Sequence, residues 1–453
     1  MSLGCAKNLV DSEVMIAQLG RVGWELVPES DDADAIVVNT CAFIDAAKAE
    51  STDRILEQAN RKRPHQRLIV AGCLSQRYGE QLRELVPEID GIVGTGAYAG
   101  IAEVLDEARS GLGPVRLEFL EQPEHDFLPR LVTTPRATAY LKIAEGCDHP
   151  CTFCIIPQLR GPFRSRSSES LVAEARALAA GGTKELILIA QDSSMYARDR
   201  GVRRGGLADL LGKLNDVAGI EWIRLLYLYP ATVDSELIDA IATLPKVCKY
   251  LDMPLQHAHP EVLRAMLRPS NGERYLEILD DFRTRVPQIT LRSTFIVGFP
   301  GEREEHVDYL EEWIGRAELD RVGFFEYSRE EGTPGATLPG QLPANVKRRR
   351  LVRLREAQRV ASARARGRRV GRTVRVLVES ERRLRATDPL CSELGVANVL
   401  VGRSMGEAPG VDGAIAFAGK ASVGDFVDVE LLGASAFDFF GRAAVTPALV
   451  LKA

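Results

Sequence analysis

Two groups of three cysteines account for six of the eight cysteines in this 453-residue chain. The first group is compact, because Cys147, Cys151 and Cys154 form a C-x3-C-x2-C loop after the strand-like run Ala139–Glu145. Three thiolates are one too few to close a tetrahedral metal site, and they leave one iron of a four-iron cluster free to chelate a small molecule. We therefore expect a [4Fe–4S] cluster here. The alternative is a Cys3His zinc site with His149, whose ring lies between the ligands in a tight loop and could hardly reach the same metal.

The second group is dispersed over the first 73 residues of the chain. Cys5, Cys41 and Cys73 each follow directly after a short apolar run, the first of which is Met1–Gly4. Alternating strand-like and helix-like segments predict a parallel sheet, whose strands all end at the same edge. The three thiols are therefore expected to converge on a second metal centre with an open position. Three buried structural thiols are the alternative, because free cysteine is often buried.

Bulk composition indicates a globular protein without a membrane segment. Hydrophobic residues make up 45% and charged residues 27% of the chain, and the formal net charge is -5. No apolar run approaches the roughly 18 residues that a membrane span needs, and the N-terminus lacks the basic and then apolar segments of a signal peptide. A cytoplasmic location is expected, where thiols stay reduced and clustered cysteines bind metals rather than form disulfides.

Three folded segments are predicted, and together they give a mixed α/β chain. In the N-terminal domain, strand-helix alternation predicts a doubly wound parallel sheet, whose first helix would be capped by Asp11 or Ser12 and end near Arg21. In the core barrel, six strands alternate with helices without an antiparallel hairpin signal, which predicts a partial (β/α)6 barrel. In the terminal barrel, short strands separated by Gly and Pro predict a small all-β, OB-like fold.

The expected boundaries are 1–112 for the N-terminal domain, 113–135 for a linker, 136–334 for the core barrel, 335–370 for a linker with the basic helix Lys347–Arg369, and 371–453 for the terminal barrel. The six barrel strands are predicted at 140–145, 185–190, 222–228, 250–254, 291–297 and 322–327.

The compact loop, with the aromatic Phe153 before its last cysteine, resembles the signature of the radical S-adenosylmethionine (SAM) superfamily. The resemblance implies that SAM chelates the open iron through its amino and carboxylate groups. An electron from the cluster would then cleave SAM to methionine and a 5′-deoxyadenosyl radical, which suits a C–H bond too weakly acidic for a general base. Further barrel residues look like the superfamily's cofactor-contacting positions, and with Phe153 these are Gln191, Asp192, Gln256, Arg292 and Val297.

The whole chain is similar to the methylthiotransferases. The segments that carry this resemblance are Gly4–Asn8, Asn39–Cys41, Ala71–Cys73 and Glu145–Cys147, followed by a terminal barrel like a TRAM domain. In that family the dispersed trio holds an auxiliary [4Fe–4S] cluster whose open iron carries the sulfur. The resemblance therefore implies two clusters and a catalytic role for all six cysteines. It also implies that one SAM methylates the sulfur and that a second supplies the radical for its insertion.

Two subfamilies differ in substrate, since one thiomethylates adenosine derivatives of tRNA and the other an aspartate of ribosomal protein S12. Tyr250–Ala258, Leu291–Gly301 and Phe437–Gly441 resemble the second subfamily. Mixed charges after Gly371 also suit a basic protein partner better than phosphates, although the basic helix is a contrary sign. The resemblance implies modification of the β-carbon of an S12 aspartate, in free or ribosome-bound S12, with an electron donor such as flavodoxin or ferredoxin. It disfavours tRNA as a partner.

Two other functions stay open at this point. One is a tRNA 2-methylthioadenosine synthase, and the other is a non-catalytic iron–sulfur scaffold or redox sensor that docks on ribosomes. His257 and His259 lie in a Gln-His-Ala-His-Pro loop. A structural or substrate-positioning role is favoured over metal binding for both.

Overall fold

The computed structural model describes residues 1–119, 129–385, 387–435 and 437–444. Part of the predicted linker at 113–135 and the last nine residues of the predicted terminal barrel therefore lie outside the described residues. Within the described ranges, no helix has the length and apolar character needed to cross a membrane.

The N-terminal domain is built on a parallel sheet with strands in the order β1-β2-β3-β4. Buried β-branched and apolar residues form the two longer strands, which suits a sheet covered on both faces. The strands are β1 (Ala35–Thr40), β2 (Arg67–Gly72), β3 (Gly91–Val93) and β4 (Val115–Arg116). The helices are α1 (Ala6–Arg21), α2 (Asp45–Arg61), α3 (Cys73–Tyr78), α4 (Glu80–Leu85) and α5 (Ile101–Arg109). Apolar residues of α2 and α3 pack on one face of the sheet, and those of α1 and α5 pack on the other.

The start of the chain differs from the sequence expectation in two respects. The predicted first strand is reduced to a single parallel bridge between Ser2 and Asn39. The prediction that Asp11 or Ser12 caps the first helix is wrong, because α1 begins at Ala6, directly after Cys5. Both residues lie buried inside that helix, where their polar groups have tertiary partners rather than a capping role.

The core barrel has the six predicted parallel strands, in two hydrogen-bonded groups ordered β5-β8-β9 and β10-β11-β12. These strands are β5 (Thr138–Lys142), β8 (Glu185–Ile189), β9 (Trp222–Leu225), β10 (Tyr250–Asp252), β11 (Thr290–Val297) and β12 (Arg321–Glu326). The two groups meet where Leu228 N donates to Asp252 O at 2.9 Å. Helices cover the outside of the barrel: α7 (Ser168–Ala180), α8 (Gly206–Asn215), α9 (Ser235–Thr243), α10 (Pro260–Ala265), α11 (Gly272–Arg285) and α12 (Glu304–Ala317).

A short antiparallel pair was missed by the sequence reasoning. Strands β6 (Ala144–Glu145) and β7 (Arg164–Ser165) pair with each other, and helix α6 (Ile156–Arg160) lies between them. The pair ties both ends of the compact cysteine segment together at the barrel. Each strand has only two residues, so the sequence carries no alternation by which to detect it.

The arginine-rich helix α13 (Ala344–Gly367) lies along α12 rather than standing free. Arg350 bonds to Glu302 at 2.9 Å and to Glu304 at 2.9 Å, and Arg353 pairs with Asp308 at 2.7 Å. Much of the positive charge on this helix is therefore neutralised within the protein.

The terminal barrel is closed, with strands in the order β13-β14-β15-β17-β16. Its elements are β13 (Thr373–Arg383), α14 (Pro389–Leu394), β14 (Asn398–Arg403), β15 (Ile415–Ala418), β16 (Phe426–Ala434) and β17 (Phe439–Ala443). Buried ion pairs fix it against the core barrel, because Glu185 accepts from Arg224 at 2.8 Å and from Arg403 at 2.6 Å. Burial opposes ionisation of Glu185, but Arg403 and Arg224 together lower its pKa to about 2. The predicted fold class, a mixed α/β chain of these three parts, is confirmed.

Candidate metal centres at the domain junction

The compact cysteine loop is shaped by the turn that precedes it. Gly146 has φ +85°, and a Cβ at this position would overlap the carbonyl oxygen of Pro162, so only glycine fits between β6 and Cys147. Cys147 N donates to Gly161 O at 3.1 Å, and Cys154 N donates to Cys151 O at 3.1 Å. These bonds fold the loop back on itself and bring its three thiols to one side of the barrel mouth.

The thiols of this loop are set in a partly buried environment. Burial raises the pKa of Cys147 to about 11 and that of Cys154 to about 12, and Cys151 adds to both shifts. The buried Arg268 donates from Nη1 to Cys151 Sγ at 3.8 Å, and its guanidinium stacks over Tyr229, 4.4 Å from the ring centroid. The loop thus combines three mutually interacting thiols with one fixed cation.

The dispersed cysteines meet at one edge of the N-terminal sheet, as parallel topology requires. Cys5 precedes α1, Cys41 follows β1, and Cys73 opens α3 after β2. Burial raises the pKa of Cys73 to about 12, with Cys5 and Cys41 adding to the shift. At the turn before Cys73, Gly72 has φ +92°, and a Cβ would overlap the side chain of Asn39.

Two asparagines hold this edge together. Asn8 Nδ2 donates to Thr40 O at 2.7 Å, and Asn39 Nδ2 donates to Asn8 O at 2.8 Å. Both side chains are completely or almost completely buried, where a polar group is stable only if hydrogen-bonded. They therefore fix the start of α1 against the end of β1, and with it the spacing of Cys5 and Cys41.

Spacing of the sulfur atoms distinguishes a cluster from a single metal ion. Tetrahedral zinc with bonds of about 2.3 Å brings its sulfur ligands to within roughly 4 Å of one another. Among the described residues, no three cysteine sulfurs lie mutually within 4.8 Å. The ligands of a four-iron cluster bind different irons and lie farther apart, so both trios fit the larger group better. His149 is also engaged elsewhere, since its Nε2 lies 2.7 Å from Asp192 Oδ2 and its ring stacks on Tyr229.

One arginine that sequence reasoning missed links the dispersed trio to the helix after the compact loop. Arg160, at the end of the helix that follows the compact loop, donates from Nη2 to Cys73 Sγ at 3.5 Å and also to Asn8. Its Nη1 bonds to Asp11 at 2.8 Å and to Glu145 at 3.1 Å. The dispersed trio therefore lies against helix α6, which follows the compact trio in the chain.

Lys142 completes this buried charge cluster. Its Nζ lies 2.5 Å from Asp11 Oδ1 and 2.9 Å from Glu145 Oε2. Although burial disfavours the charged form of Glu145, Arg160 and Lys142 hold its pKa well below the usual range. Two cations and two carboxylates thus balance at the junction of the N-terminal domain and the core barrel. A signal existed for Lys142, which interrupts an apolar strand, but none identified its partner Asp11.

The predicted SAM contacts fall into two sets. In the first, Phe153 packs in a small apolar cluster with Phe299 and Tyr327, and Gln191 donates to Glu145 Oε1 at 2.5 Å. The Oε1 atoms of Gln191 and Gln256 are buried and have no hydrogen-bond partner among the described residues. Such orphan acceptors are expensive unless a ligand satisfies them. They fit a cofactor that carries amino and hydroxyl donors, as SAM does.

The three residues of the second set, Arg292, Val297 and Asp192, make contacts with other parts of the protein. Arg292 Nη1 pairs with Asp252 Oδ1 at 2.5 Å, and its Nε lies 3.6 Å from Asp412 of the terminal barrel. Val297 is fully buried in the core between the barrel and its helices. Asp192 accepts from Ser194 N at 2.9 Å besides its contact with His149.

A histidine cluster beside the barrel mouth has the spacing of an ion site. Ligand atoms of His259, Glu261 and His306 all lie within 4.8 Å of one another. However, Nδ1 of His259 accepts from Glu261 N, and Nδ1 of His306 accepts from Arg303 N. The proton of each neutral ring is then on Nε2, which removes the lone pair that a metal would need. His257 Nδ1 likewise accepts from His259 N at 2.9 Å, so these contacts favour a structural role.

Family models match three parts of the chain. The Radical SAM superfamily model matches residues 141–314, the TRAM domain model matches 370–444, and the model of Uncharacterized protein family UPF0004 matches 1–94. A solved structure of the radical SAM methyltransferase TsrM from Kitasatospora setae superposes with a TM-score of 0.54 at 17% identity, covering 73% of this chain and 74% of that one. The cobalamin-dependent radical SAM enzyme OxsB gives a TM-score of 0.51 at 13% identity, over 72% of this chain and 51% of that one. At these identities the likeness shows the fold alone.

Fold and site together define a radical SAM enzyme, a class whose members use a [4Fe–4S] cluster and SAM. The chain is 46% identical to the ribosomal protein uS12 methylthiotransferase RimO of Symbiobacterium thermophilum, over 98% of this chain and 90% of that protein. It is 45% identical to the RimO protein of Geobacter sulfurreducens, over 98% and 97% respectively. The chain belongs to the RimO family and is a methylthiotransferase of the radical SAM type.

Proposed function

We propose that this chain adds a methylthio group to the β-carbon of an aspartate of ribosomal protein uS12. In this proposal Cys147, Cys151 and Cys154 bind the cluster that generates the radical. A second [4Fe–4S] cluster on Cys5, Cys41 and Cys73 delivers the sulfur. The supporting observation is the position of Arg160, which lies just beyond the compact loop and contacts Cys73 at 3.5 Å. In this proposal a single substrate carbon at the junction is served by both centres.

When bound, the clusters and SAM supply the radical that removes a hydrogen atom and the methylthio group that replaces it. The protein's own part is to position and shield. Ile155, directly before the helix that follows the compact loop, and Leu159 within that helix pack into the core of the N-terminal domain, which excludes water from one side of the junction. Gln191 and Gln256 would accept hydrogen bonds from SAM through carbonyl oxygens that have no partner among the described residues, and Phe153 would help to hold SAM.

Several sequence-derived expectations remain part of this proposal. Contacts of Asp192, Arg292 and Val297 with SAM stay predictions, as do the domain boundaries and an electron donor such as flavodoxin or ferredoxin. The uS12 substrate, free or in the small ribosomal subunit, follows from the names of the relatives, and tRNA is not expected as a substrate.

Anaerobic reconstitution with matched cysteine variants tests the proposal. The wild type should bind about eight irons per chain, as two four-iron clusters require. Triple alanine variants of either trio should bind about four. Cys391→Ala is the matched control, because this thiol belongs to the terminal barrel and to neither trio; it should retain the full iron content.

Product analysis separates the roles of the two centres. With a reductant and recombinant uS12, the variant without Cys5, Cys41 and Cys73 should cleave SAM but form no methylthio product, as judged by mass spectrometry of uS12. The variant without the compact trio should do neither. Methylthiolated uS12 from the first variant, or a modified tRNA nucleoside in place of modified uS12, would contradict the proposal.

A further inference from the structure

A buried lysine lies between the two cysteine trios and has no anionic partner among the described residues. Lys7 is two residues after Cys5, in the first turn of α1, and is only 7% exposed. Its Nζ lies 3.3 Å from the centroid of the Tyr227 ring. The amine has no hydrogen bond or ion pair with any residue in the described ranges. An ammonium has three donors, and those of Lys7 are accessible to a ligand or to water.

The first turn of α1 enters the mouth of the core barrel. Ala6 and Val10, which flank Lys7 along the helix, pack with Ile187, Ile189 and Leu226 of the barrel. Lys7 therefore projects from the N-terminal domain into the side of the barrel where the strands end.

Tyr227 lies close in the chain to a residue that contacts the compact loop. Two residues beyond it, Tyr229 stacks on His149 of that loop, with ring centroids 3.9 Å apart. The path from Cys5 to the compact loop thus runs through Lys7, Tyr227, Tyr229 and His149. The Lys7 amine is a charged group on this path that no carboxylate in the described part of the chain neutralises.

The backbone of Tyr227 is held in an unfavourable conformation. Its φ of +62° is uncommon for a residue other than glycine. Tyr227 N donates to Asp252 Oδ2 at 3.1 Å, and its carbonyl accepts from Ser193 N at 2.8 Å, which keeps it in place. Local strain of this kind persists where surrounding contacts over-determine it and is concentrated at functional sites. Here it sets the aromatic ring against the lysine amine.

We propose that Lys7, set against Tyr227, binds the carboxylate of the substrate aspartate and thereby selects an acidic side chain. This inference rests on the proposed function. The aromatic face holds the ammonium on one side, and in this proposal its N–H donors bind the substrate carboxylate at the junction. An ammonium–carboxylate bond orients the side chain so that its β-carbon, one bond from the carboxylate, faces both centres.

Binding to reconstituted enzyme, rather than turnover, gives the direct test. The aspartate that the wild type modifies is first located by mass spectrometry, and uS12 is then prepared with asparagine at that position. Dissociation constants for both forms of uS12 are measured with the wild type and with Lys7→Met, which keeps the aliphatic stem and removes the charge. Lys420→Met, at an exposed lysine of the terminal barrel, is the matched control.

The expected result is that affinity falls when either the substrate carboxylate or the Lys7 amine is removed. The wild type should bind the asparagine form about tenfold to a hundredfold more weakly, the range expected for one charged hydrogen bond. Lys7→Met should bind the aspartate form more weakly by a similar factor, with no further loss for the asparagine form. Lys7→Arg, which keeps the charge, should recover part of the discrimination, and Lys420→Met should bind like the wild type.

Two outcomes overturn the proposal and are distinguishable from each other. If the wild type modifies uS12 but binds the two forms within about twofold of each other, the role of Lys7 is refuted whatever the variants do, while the proposed function stands. If the wild type does not modify uS12, the proposed function fails and this inference fails with it. Because the first comparison needs only wild-type enzyme, loss of iron or of folding in Lys7→Met does not weaken the test.

Discussion

The buried charge cluster at the domain junction makes a strong prediction for Arg160→Met. Arg160 and Lys142 balance Asp11 and Glu145, and the arginine is only 2% exposed. Methionine fills similar space but leaves two carboxylates with one cation, a net charge of one in a buried site. Removing one partner of a buried pair costs about 3–5 kcal/mol. That is a large fraction of the roughly 5–15 kcal/mol by which domains are stable.

This loss of stability should appear first as local opening of the N-terminal domain. Hydrogen exchange of the amides of β1 and α1, followed by mass spectrometry, should accelerate by about 150-fold to 4000-fold, which is 3–5 kcal/mol expressed as an opening equilibrium. Exchange is the appropriate assay because a chain of several domains does not unfold in one step. Arg364→Met is the matched control, since this exposed arginine has no side-chain partner among the described residues; it should change exchange by less than twofold.

A compensating change tests the charge argument itself. Asp11→Asn in the Arg160→Met background leaves Lys142 opposite Glu145 and restores neutrality. The double variant should therefore be less destabilised than Arg160→Met alone, by about 1–3 kcal/mol. Additive destabilisation by the two substitutions, or an Arg160→Met variant within 1 kcal/mol of the wild type, would refute the reasoning.

Three further perturbations follow from the contacts described. Gly146→Ala should abolish iron binding by the compact trio, because the added Cβ overlaps a backbone carbonyl. Gly111 is the control, since it also has a positive φ of +80° but open space around it. Gly111→Ala should lower stability by only about 1 kcal/mol and leave the iron content unchanged. The pKa of Glu185 in the folded protein is lowered to about 2. Its stabilising contribution is therefore present above its unfolded pKa near 4.5 and is lost as the pH falls toward 2. Glu185→Gln should be less stable at neutral pH, and in acid denaturation it should lose stability less steeply between these two pH values. Tyr250→Phe removes a bond of 2.7 Å to Asp412 of the terminal barrel, so a loss of about 1–3 kcal/mol in thermal unfolding is expected, and an unchanged transition would show that this contact does not fasten the barrel.

Much of the architecture could be predicted because it depends on local patterns. The run Glu185–Ile189 is buried at every position, as a strand covered on both faces should be, and its alternation with amphipathic helices required parallel pairing. Parallel pairing in turn required that Cys41 and Cys73, at the ends of neighbouring strands, lie at one edge. The compact loop could be recognised from spacing alone, since its three ligands lie within eight residues.

Long-range electrostatics could not be predicted in this way. Asp11 looks like a helix cap by local rules, yet it is an interior residue whose carboxylate pairs with Lys142 and Arg160, which lie 131 and 149 positions away. Arg292 matched a cofactor position in sequence, but that match did not indicate that its guanidinium pairs with Asp252 in the fold. The arginines of α13 suggested a nucleic-acid surface, but glutamates of the preceding helix neutralise several of them.

The sequence by itself predicted which cysteines bind iron and placed Cys41 and Cys73 at strand ends, because both inferences follow from spacing and periodicity along the chain. Only the tertiary structure decided which charges balance at the junction and that Lys7 has no counter-ion within the described ranges. Pairing of charges depends on distances in space between elements far apart in the chain, and no local pattern records those distances. The same reason explains why the link from the compact loop to Cys73 became visible only in the folded molecule.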